Sequence, residues 1–481
     1  MNATARPLAA VLALAAAGCS LAPAPEPPPI EPPPAWRETP PPAAASAVAD
    51  RWWTAFGDPA LDALVEEALD NNRDLLAAVA RLAESRALAA AAGADRLPSL
   101  DLGASTARSR ASQATGTLPP GIDATSTRTR VEAGLSFELD LFGRLSNRAE
   151  AARQELLAAP YSRDAVRLAV ASDVAAAYLD LLALDRQAAV TERTVASRRR
   201  AFELIELRYR GGLSSRLDLE RTRAERAAAE AVLPELERLR RARENQLALL
   251  LGRMPGEVSR ERSLESLSAP AVPVGLPSEL LLRRPDVAAA EARLAAASAR
   301  IGVARAALFP TIRLTGAYGR ESAELSDLFT PAAAVWRAAL GLLQPIFDGG
   351  RNRALVAAAE ARQEQAVIAY LAAAEGAFRD VEDALVAART RRDRETALAE
   401  QADALARAVE LAALRYREGQ ASLLEYLDVE RSRLVAELEL AAARRDRLVA
   451  AVALYRALGG GWSALAEAAE PASPAAGTPP G

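Results

Sequence analysis

The stretch LRYRGGLSSRLDLER at residues 207 to 221 returns at residues 414 to 428 as LRYREGQASLLEYLD. Arg208, Tyr209, Arg210, Gly212, Ser215 and Leu217 align without a gap on Arg415, Tyr416, Arg417, Gly419, Ser422 and Leu424, and the same offset of 207 pairs Gly252 with Gly459. Half the chain is a copy of the other half, so its 481 residues describe two structural halves of one body rather than a string of separate domains. Each copy lies between long runs rich in Ala, Leu and Arg. A glycine in such a place ends a helix by turning left-handed, so Gly212 and Gly419 read as the turns of two helix-turn-helix hairpins with tips at 208–218 and 415–428.

Composition removes several classes of function. The chain has no His and a single Cys, which excludes histidine-based catalysis, Cys/His zinc sites and an internal disulfide. It contains no lysine, so a Walker-type phosphate loop is absent. Its 59 arginines are interspersed with 63 acidic residues for a net charge of -4, which gives no basic surface for nucleic acid and reads as solvated helix face.

At the N-terminus, Arg6 and an apolar run from Leu8 to Ala17 form a secretory signal over 1–18, too short to span a bilayer as a helix. Ala16-Ala17-Gly18 before Cys19 resembles a bacterial lipobox, with Ala16 where Leu is commoner. Cys19 is then the lipidated first residue of the mature chain; the alternative is ordinary signal cleavage with a spare cysteine. Ser20 at the second mature position, rather than Asp, implies by resemblance to lipoprotein sorting an outer-membrane destination. Pro, Ala and Glu dominate residues 22 to 45 and predict an extended tether within a 19–50 linker. Trp52, Trp53 and Phe56 are expected to pack beneath a helix that starts at Asp58-Pro59 and runs to about Arg96.

The first repeat spans 51–252 and the second 276–460, with an inter-repeat equatorial segment at 253–275 and a flexible tail at 461–481. In the first, Pro98 stops the helix and Leu100, Leu102, Ala104 and Thr106 alternate with polar residues; after a loop to about Ser126, Val131, Ala133, Leu135, Phe137 and Leu139 do the same. In the second, Pro310 falls where Pro98 fell, and Ile312, Leu314, Gly316 and Tyr318, then Trp336, Ala338, Leu340 and Leu342, mark two more strands. The strand pairs, 97–140 and 310–346, have the length that crosses a bilayer, roughly 9 to 11 residues per strand. LDLFGR and IFDGGR then turn the chain into helices of about 65 residues, which at about 1.5 Å per residue are near 100 Å long. Ala177, Leu181, Leu184, Ala188, Thr191, Val195, Phe202, Ile205 and Tyr209 recur at coiled-coil spacing, with Arg198 in the one skipped place. Pro160 and Pro234 predict kinks that Val367 and Ala441 do not repeat.

Four strands cannot close a barrel, and strand edges left open in lipid cost several kcal/mol per unpaired group, so the chain must assemble with others: two copies would just close a barrel of about 8 strands, and three would give a wider pore. The Trp-Trp-x-x-Phe-Gly-Asp-Pro lead-in, the twofold repeat, the strand pairs and the Arg-Tyr-x-x-Gly-x-x-Ser tips together resemble the TolC-type outer-membrane efflux factors, in particular their lipoprotein (NodT-like) branch, over roughly residues 50 to 460. The fold class implied is mainly α with a membrane β part: long antiparallel hairpins forming a periplasmic α-barrel, and four strands per chain contributing to a 12-stranded trimeric β-barrel. The resemblance implies a homotrimer in the outer membrane of a Gram-negative bacterium, lipid-anchored and reaching into the periplasm. It also implies a periplasmic adaptor and an inner-membrane resistance-nodulation-division transporter as partners, and no cofactor beyond the lipid on Cys19.

Within that resemblance, Glu425 and Asp428, three apart on one helix face, would form two acidic rings at the narrow end of the tube, and Asp218 and Arg221 hold the aligned places in the first repeat. Arg221 would pair with a neighbouring acid and help hold the tube shut; the plainer reading of all four is ordinary helix-surface charge. Gly212, Ser215, Gly419 and Ser422 are implied as the adaptor-docking tips. Two other functions fit the same residues: a duct for type I protein secretion, and a coiled-coil envelope lipoprotein without a pore.

Overall fold

The computed structural model describes residues 20–24, 26–38, 49–115, 121, 123–275 and 277–460. The signal segment 1–18, Cys19 and the tail 461–481 lie outside the described residues, as do parts of the linker and of the first inter-strand loop. The helices are α1 (Pro59–Asn71), α2 (Arg73–Ala94), α3 (Arg144–Arg210), α4 (Arg216–Leu250), α5 (Pro277–Arg283), α6 (Pro285–Ala306), α7 (Arg351–Arg417) and α8 (Leu423–Ala457). The strands are β1 (Ser99–Arg110), β2 (Thr125–Leu139), β3 (Thr311–Ser322) and β4 (Ala334–Leu343). α3 and α7 each have 67 residues, and α4 and α8 each have 35, so the repeat extends to equal helix lengths. Pro160 and Pro234 lie inside unbroken helices. The chain forms two compact units, and each draws on both repeats.

Among the described residues, one unit holds the sheet, with residues 82–159 and 290–370 and the N-terminal segment from 20 to 29. Its four strands run antiparallel in the order β1-β2-β3-β4, so the two repeats share a single sheet through the β2–β3 pairing. The register puts every alternating apolar residue on one face. Leu102 lies beside Ala133, Ala133 beside Tyr318 and Tyr318 beside Trp336, while Leu139, Ile312 and Leu342 form another row. That face is bare: Leu102 is 81% exposed and Trp336 77%. The opposite face carries ion pairs between strands. Arg130 Nε donates to Glu321 at 2.7 Å, Arg337 lies 2.9 Å from Glu132, and Arg313 lies 3.5 Å from Glu138, which also takes two 2.8 Å bonds from Arg144. Asp140 accepts from the amides of Leu145 and Ser146, and Asp348 from those of Gly350 and Asn352, so each long helix starts on a carboxylate that satisfies its free donors.

The other unit comprises, among the described residues, those within 30–81, 160–289 and 371–460. Trp52 packs on Tyr455, ring centroids 5.1 Å apart, with Trp53 and Phe56 edge-on beside it. Asp58 caps α1 through the Ala60 amide and, fully buried, accepts a 2.7 Å bond from the Tyr178 hydroxyl. The predicted single helix from Asp58 to Arg96 is two helices. Asn72 leaves the helical conformation, caps α2 with its side-chain oxygen and donates from Nδ2 to the Leu250 carbonyl at 2.9 Å. A helix run straight through residue 72 would forfeit that clamp on the end of α4. The second repeat breaks in the same place, and there Arg284 reaches the aligned carbonyl of Ala457 at 3.2 Å.

The linker also differs from a free tether. Residues 22–24 and 26–38 lack helix and strand, as expected, but Trp36 is buried against Phe378 and donates to the Gly275 carbonyl at 3.0 Å, and Glu38 pairs with Arg389 at 2.9 Å. A tryptophan and charged residues among the prolines supply the contacts that the composition as a whole does not. Among the described residues no helix is long and apolar enough to cross a membrane.

Gly252 and Gly459 show why the offset of 207 preserves glycine. Both have positive φ, and a Cβ would sit 2.3 Å from the Asn71 carbonyl oxygen in one case and 2.6 Å from that of Arg283 in the other. Gly212 has the same φ of 72° with nothing within 4 Å. Gly212→Ala is therefore expected to cost only the left-handed penalty, about 1–2 kcal/mol, and Gly252→Ala distinctly more. Thermal midpoints of the two purified variants check this order.

Candidate functional site at the hairpin tips

Both tips are built from the same backbone hydrogen bonds. At the end of α3, Leu213 N donates to Arg208 O at 2.8 Å and Gly212 N to Tyr209 O at 3.0 Å; at the end of α7, Gln420 N and Gly419 N repeat this to Arg415 O and Tyr416 O at 2.8 and 3.1 Å. This is a glycine C-cap with paired bonds to the last helical carbonyls. Ser215 and Ser422 then start the return helices, accepting from the amides of Asp218 at 3.1 Å and Glu425 at 3.2 Å. The two serines therefore have a structural task whatever binds there. Gly212 and Gly419 are exposed and bare of side-chain neighbours.

The charged residues diverge. Asp218 completes a capping box, its carboxylate accepting from the Ser215 amide at 3.3 Å and hydroxyl at 2.7 Å. Glu425 at the aligned position turns instead to Arg415, 2.6 Å away, which also donates to the Gln420 carbonyl. Asp428 pairs with Arg431 at 2.5 Å on its own helix. Arg221 is exposed and makes no ion pair among the described residues. Within one chain, then, Glu425 and Asp428 are not drawn together. Each lies on the exposed surface with its own arginine, and exposed pairs of this kind contribute about 0–1 kcal/mol, weak enough to exchange partners.

Beneath the charges lies a core that ties the hairpins together. Phe202 and Ile205 of α3, Leu219 of α4, and Leu423 and Leu427 of α8 form one buried cluster, flanked by Tyr416 and Tyr426, whose rings stack at 6.1 Å. The Arg226 guanidinium lies 4.4 Å from the centre of the Phe202 ring. One turn along, Ser197 and Tyr426 both donate to Glu430 Oε1, at 2.8 and 3.0 Å, which couples α3 to α8. Arg198, in the skipped coiled-coil place, is buried and ion-paired with Glu225 of α4. Burial pulls the Arg198 pKa down, opposed by the nearby Glu430 charge. Burial, with the Glu430 carboxylate beside it, pushes Tyr426 up to about 12. Sequence reasoning missed Glu430, Ser197 and the Arg415–Glu425 pair; the gap in the heptad pattern at Arg198 was the one signal pointing here.

The chain matches the family described as Outer membrane efflux protein over residues 64–253 and 276–460. It is 38% identical to the outer membrane protein OprJ of Pseudomonas aeruginosa over 474 residues, covering 94% of this chain and 95% of that one. It is 35% identical to the cation efflux system protein CusC of Escherichia coli, covering 85% and 88%. The fold superposes on the open state of the Neisseria gonorrhoeae MtrE outer membrane channel with a TM-score of 0.83 at 33% identity, over 92% of this chain and 99% of that chain.

The Tyr426 hydroxyl gives a pH dependence with a definite sign. Its folded pKa lies above the ordinary value of 10.0, so the stability it supports is fully present below pH 10 and is lost as pH rises through about 12. Protection factors of tip amides, taken relative to the intrinsic base-catalysed rate, should fall over that window in the wild type, and Tyr426→Phe should remove this share of the alkaline loss.

Proposed function

The chain belongs to the outer membrane efflux protein family; it is an outer-membrane efflux channel, and we propose that it works as a homotrimer, anchored by a lipid on Cys19. The observation that carries assembly is the sheet, with an exposed apolar face, an ion-paired opposite face and two unpaired edges at β1 and β4, and the family resemblance supplies the number three. In the outer membrane the apolar face meets lipid and the charged face lines a wet interior. Edges in hydrocarbon must be paired, and three chains supply twelve strands, an even number within the range of known barrels. One acyl chain alone anchors weakly, and the barrel holds the protein in the membrane beside the lipid.

The partners in this reading are a periplasmic adaptor and an inner-membrane transporter of the resistance-nodulation-division class. The adaptor docks on Gly212, Ser215, Gly419 and Ser422, where exposed, left-handed glycines leave the backbone open to a close approach. Glu425 and Asp428 act as the gate. Released from Arg415 and Arg431, three copies of each would ring the duct and favour cations. Asp218 and Arg221 face the equivalent places, and Arg221 is free to reach an acid on a neighbouring chain. The family places this protein among transport proteins, and the reading assigns it no reaction to catalyse. Small toxic compounds are the proposed cargo, passing through a duct that contacts them little.

Gly419→Trp is expected to abolish efflux-dependent resistance while leaving the trimer intact on native gels; loss of the trimer itself would count against a docking role. In planar bilayers the wild type should carry a small, cation-selective current, and Glu425→Ala/Asp428→Ala should raise it.

A further inference from the structure

We propose that Asn147, Gly302 and Arg305 form a seat for the acylated first residue of the mature chain, in which the Asn147 side-chain amide donates a hydrogen bond to an acyl carbonyl on Cys19. This rests on the lipid-anchored reading of Cys19. Ser20, the next residue, donates from Oγ to Asn147 Oδ1 at 2.8 Å, and the Ala22 amide donates to the same hydroxyl at 3.3 Å. Arg305 holds the Leu21 carbonyl at 3.4 Å through one guanidinium nitrogen and Glu360 at 2.8 Å through the other.

Asn147 is only 5% exposed, and its Nδ2 has no acceptor among the described residues. An unmet buried donor costs about 1–3 kcal/mol, so a site that keeps one points to an acceptor that belongs there. The residue joined to Ser20 is Cys19, and consecutive Cα atoms are about 3.8 Å apart, within reach of an amide already bonded to Ser20. Fatty acyl groups on an N-terminal cysteine present amide and ester carbonyls, which only accept. A merely cleaved N-terminus would present an ammonium, a donor facing a donor, and leave the Cys19 main-chain carbonyl as the acceptor, whereas acylation adds carbonyls in place of that ammonium.

The internal repeat supplies an independent comparison. The position aligned with Asn147 at the offset of 207 is Ala354, and those aligned with Gly302 and Arg305 at the offset of 212 that pairs Pro98 with Pro310 are Ala90 and Gly93. The polar notch exists only where the N-terminal segment runs, although the surrounding helices occur in both repeats. Gly302 is what admits it: a Cβ there would lie 2.5 Å from Asn147 Nδ2 and 2.8 Å from the Ala22 Cβ. The backbone donors that open α3 are already taken by Asp140, so the seat is the Asn147 side chain and not the helix end.

The test uses full-length protein purified from outer membranes. Mass spectrometry of the N-terminal peptide reads acylation, and hydrogen-deuterium exchange reads the amides of Leu21 and Ala22. Asn147→Asp keeps an acceptor for the Ser20 hydroxyl and replaces the NH2 donor with a carboxylate oxygen, which only accepts. Exchange at these amides should rise at least tenfold in Asn147→Asp, with acylation unchanged and the protein still folded, and Ala354→Asn in the other repeat should leave it as in the wild type. Should Asn147→Asp fold poorly, Gly302→Ala, which keeps Asn147 but crowds it, should give the same tenfold rise. Unchanged exchange in a folded, acylated Asn147→Asp protein overturns the seat and leaves the anchor standing. A wild-type Cys19 without acyl chains overturns both.

Discussion

A strand exposes its unpaired backbone groups along its edge, and hydrocarbon has nothing to offer them. The repeats here solve half of that problem internally, because β2 of one pairs with β3 of the other and leaves a single four-stranded sheet. The other half is passed to the assembly, since β1 and β4 remain edges. The two faces of the sheet prepare it for that position. Leu102, Tyr318 and Trp336 stand bare on one side, while Arg130, Glu132, Glu321 and Arg337 neutralise one another on the other. A soluble sheet with the same residues would need a second layer over the apolar face.

Duplication has kept contacts more faithfully than side chains. Asn72 and Arg284 reach the aligned carbonyls of Leu250 and Ala457 with different chemistry, and Gly252 and Gly459 admit the aligned carbonyls of Asn71 and Arg283. At the tips the caps are conserved in geometry, but Asp218 closes on its own serine where Glu425 turns to Arg415. At this aligned position, then, the first tip's carboxylate is taken up in its own cap, while the second's is held by an exposed and weak partner. Glu430 then fastens the second hairpin to α3 through Ser197 and Tyr426.

Periodic features were legible in the sequence. The alternation at 100–106, 131–139, 312–318 and 336–342 gave the strands and the face they share, and the spacing from Ala177 to Ile205 gave the buried seam of α3. Glycine at a preserved offset gave the turns. Features set by single side chains across long separations were not legible. The break at Asn72 depends on a carbonyl 178 residues away, and locally it is marked only by the cap-favouring pair Asn71-Asn72 inside an otherwise continuous helical pattern. Trp36 was hidden by its proline-rich surroundings, and the arginine partners of Glu425 and Asp428 could not be chosen among 59 arginines without coordinates.

The central claim is that identical chains close the sheet edge to edge. It is tested most directly by disulfide trapping with cysteine pairs placed along β1 and β4 of one chain. Within a chain these strands are three spacings apart, about 14 Å, too far for a disulfide, which needs Cα atoms within about 7 Å. Oxidation of the membrane-embedded protein should give a covalent product of three chains that collapses to monomer on reduction, with capture rising and falling along the strands as the register passes through alignment. Recovery of monomer alone at every pair, from protein shown to be folded, would contradict closure by neighbouring chains.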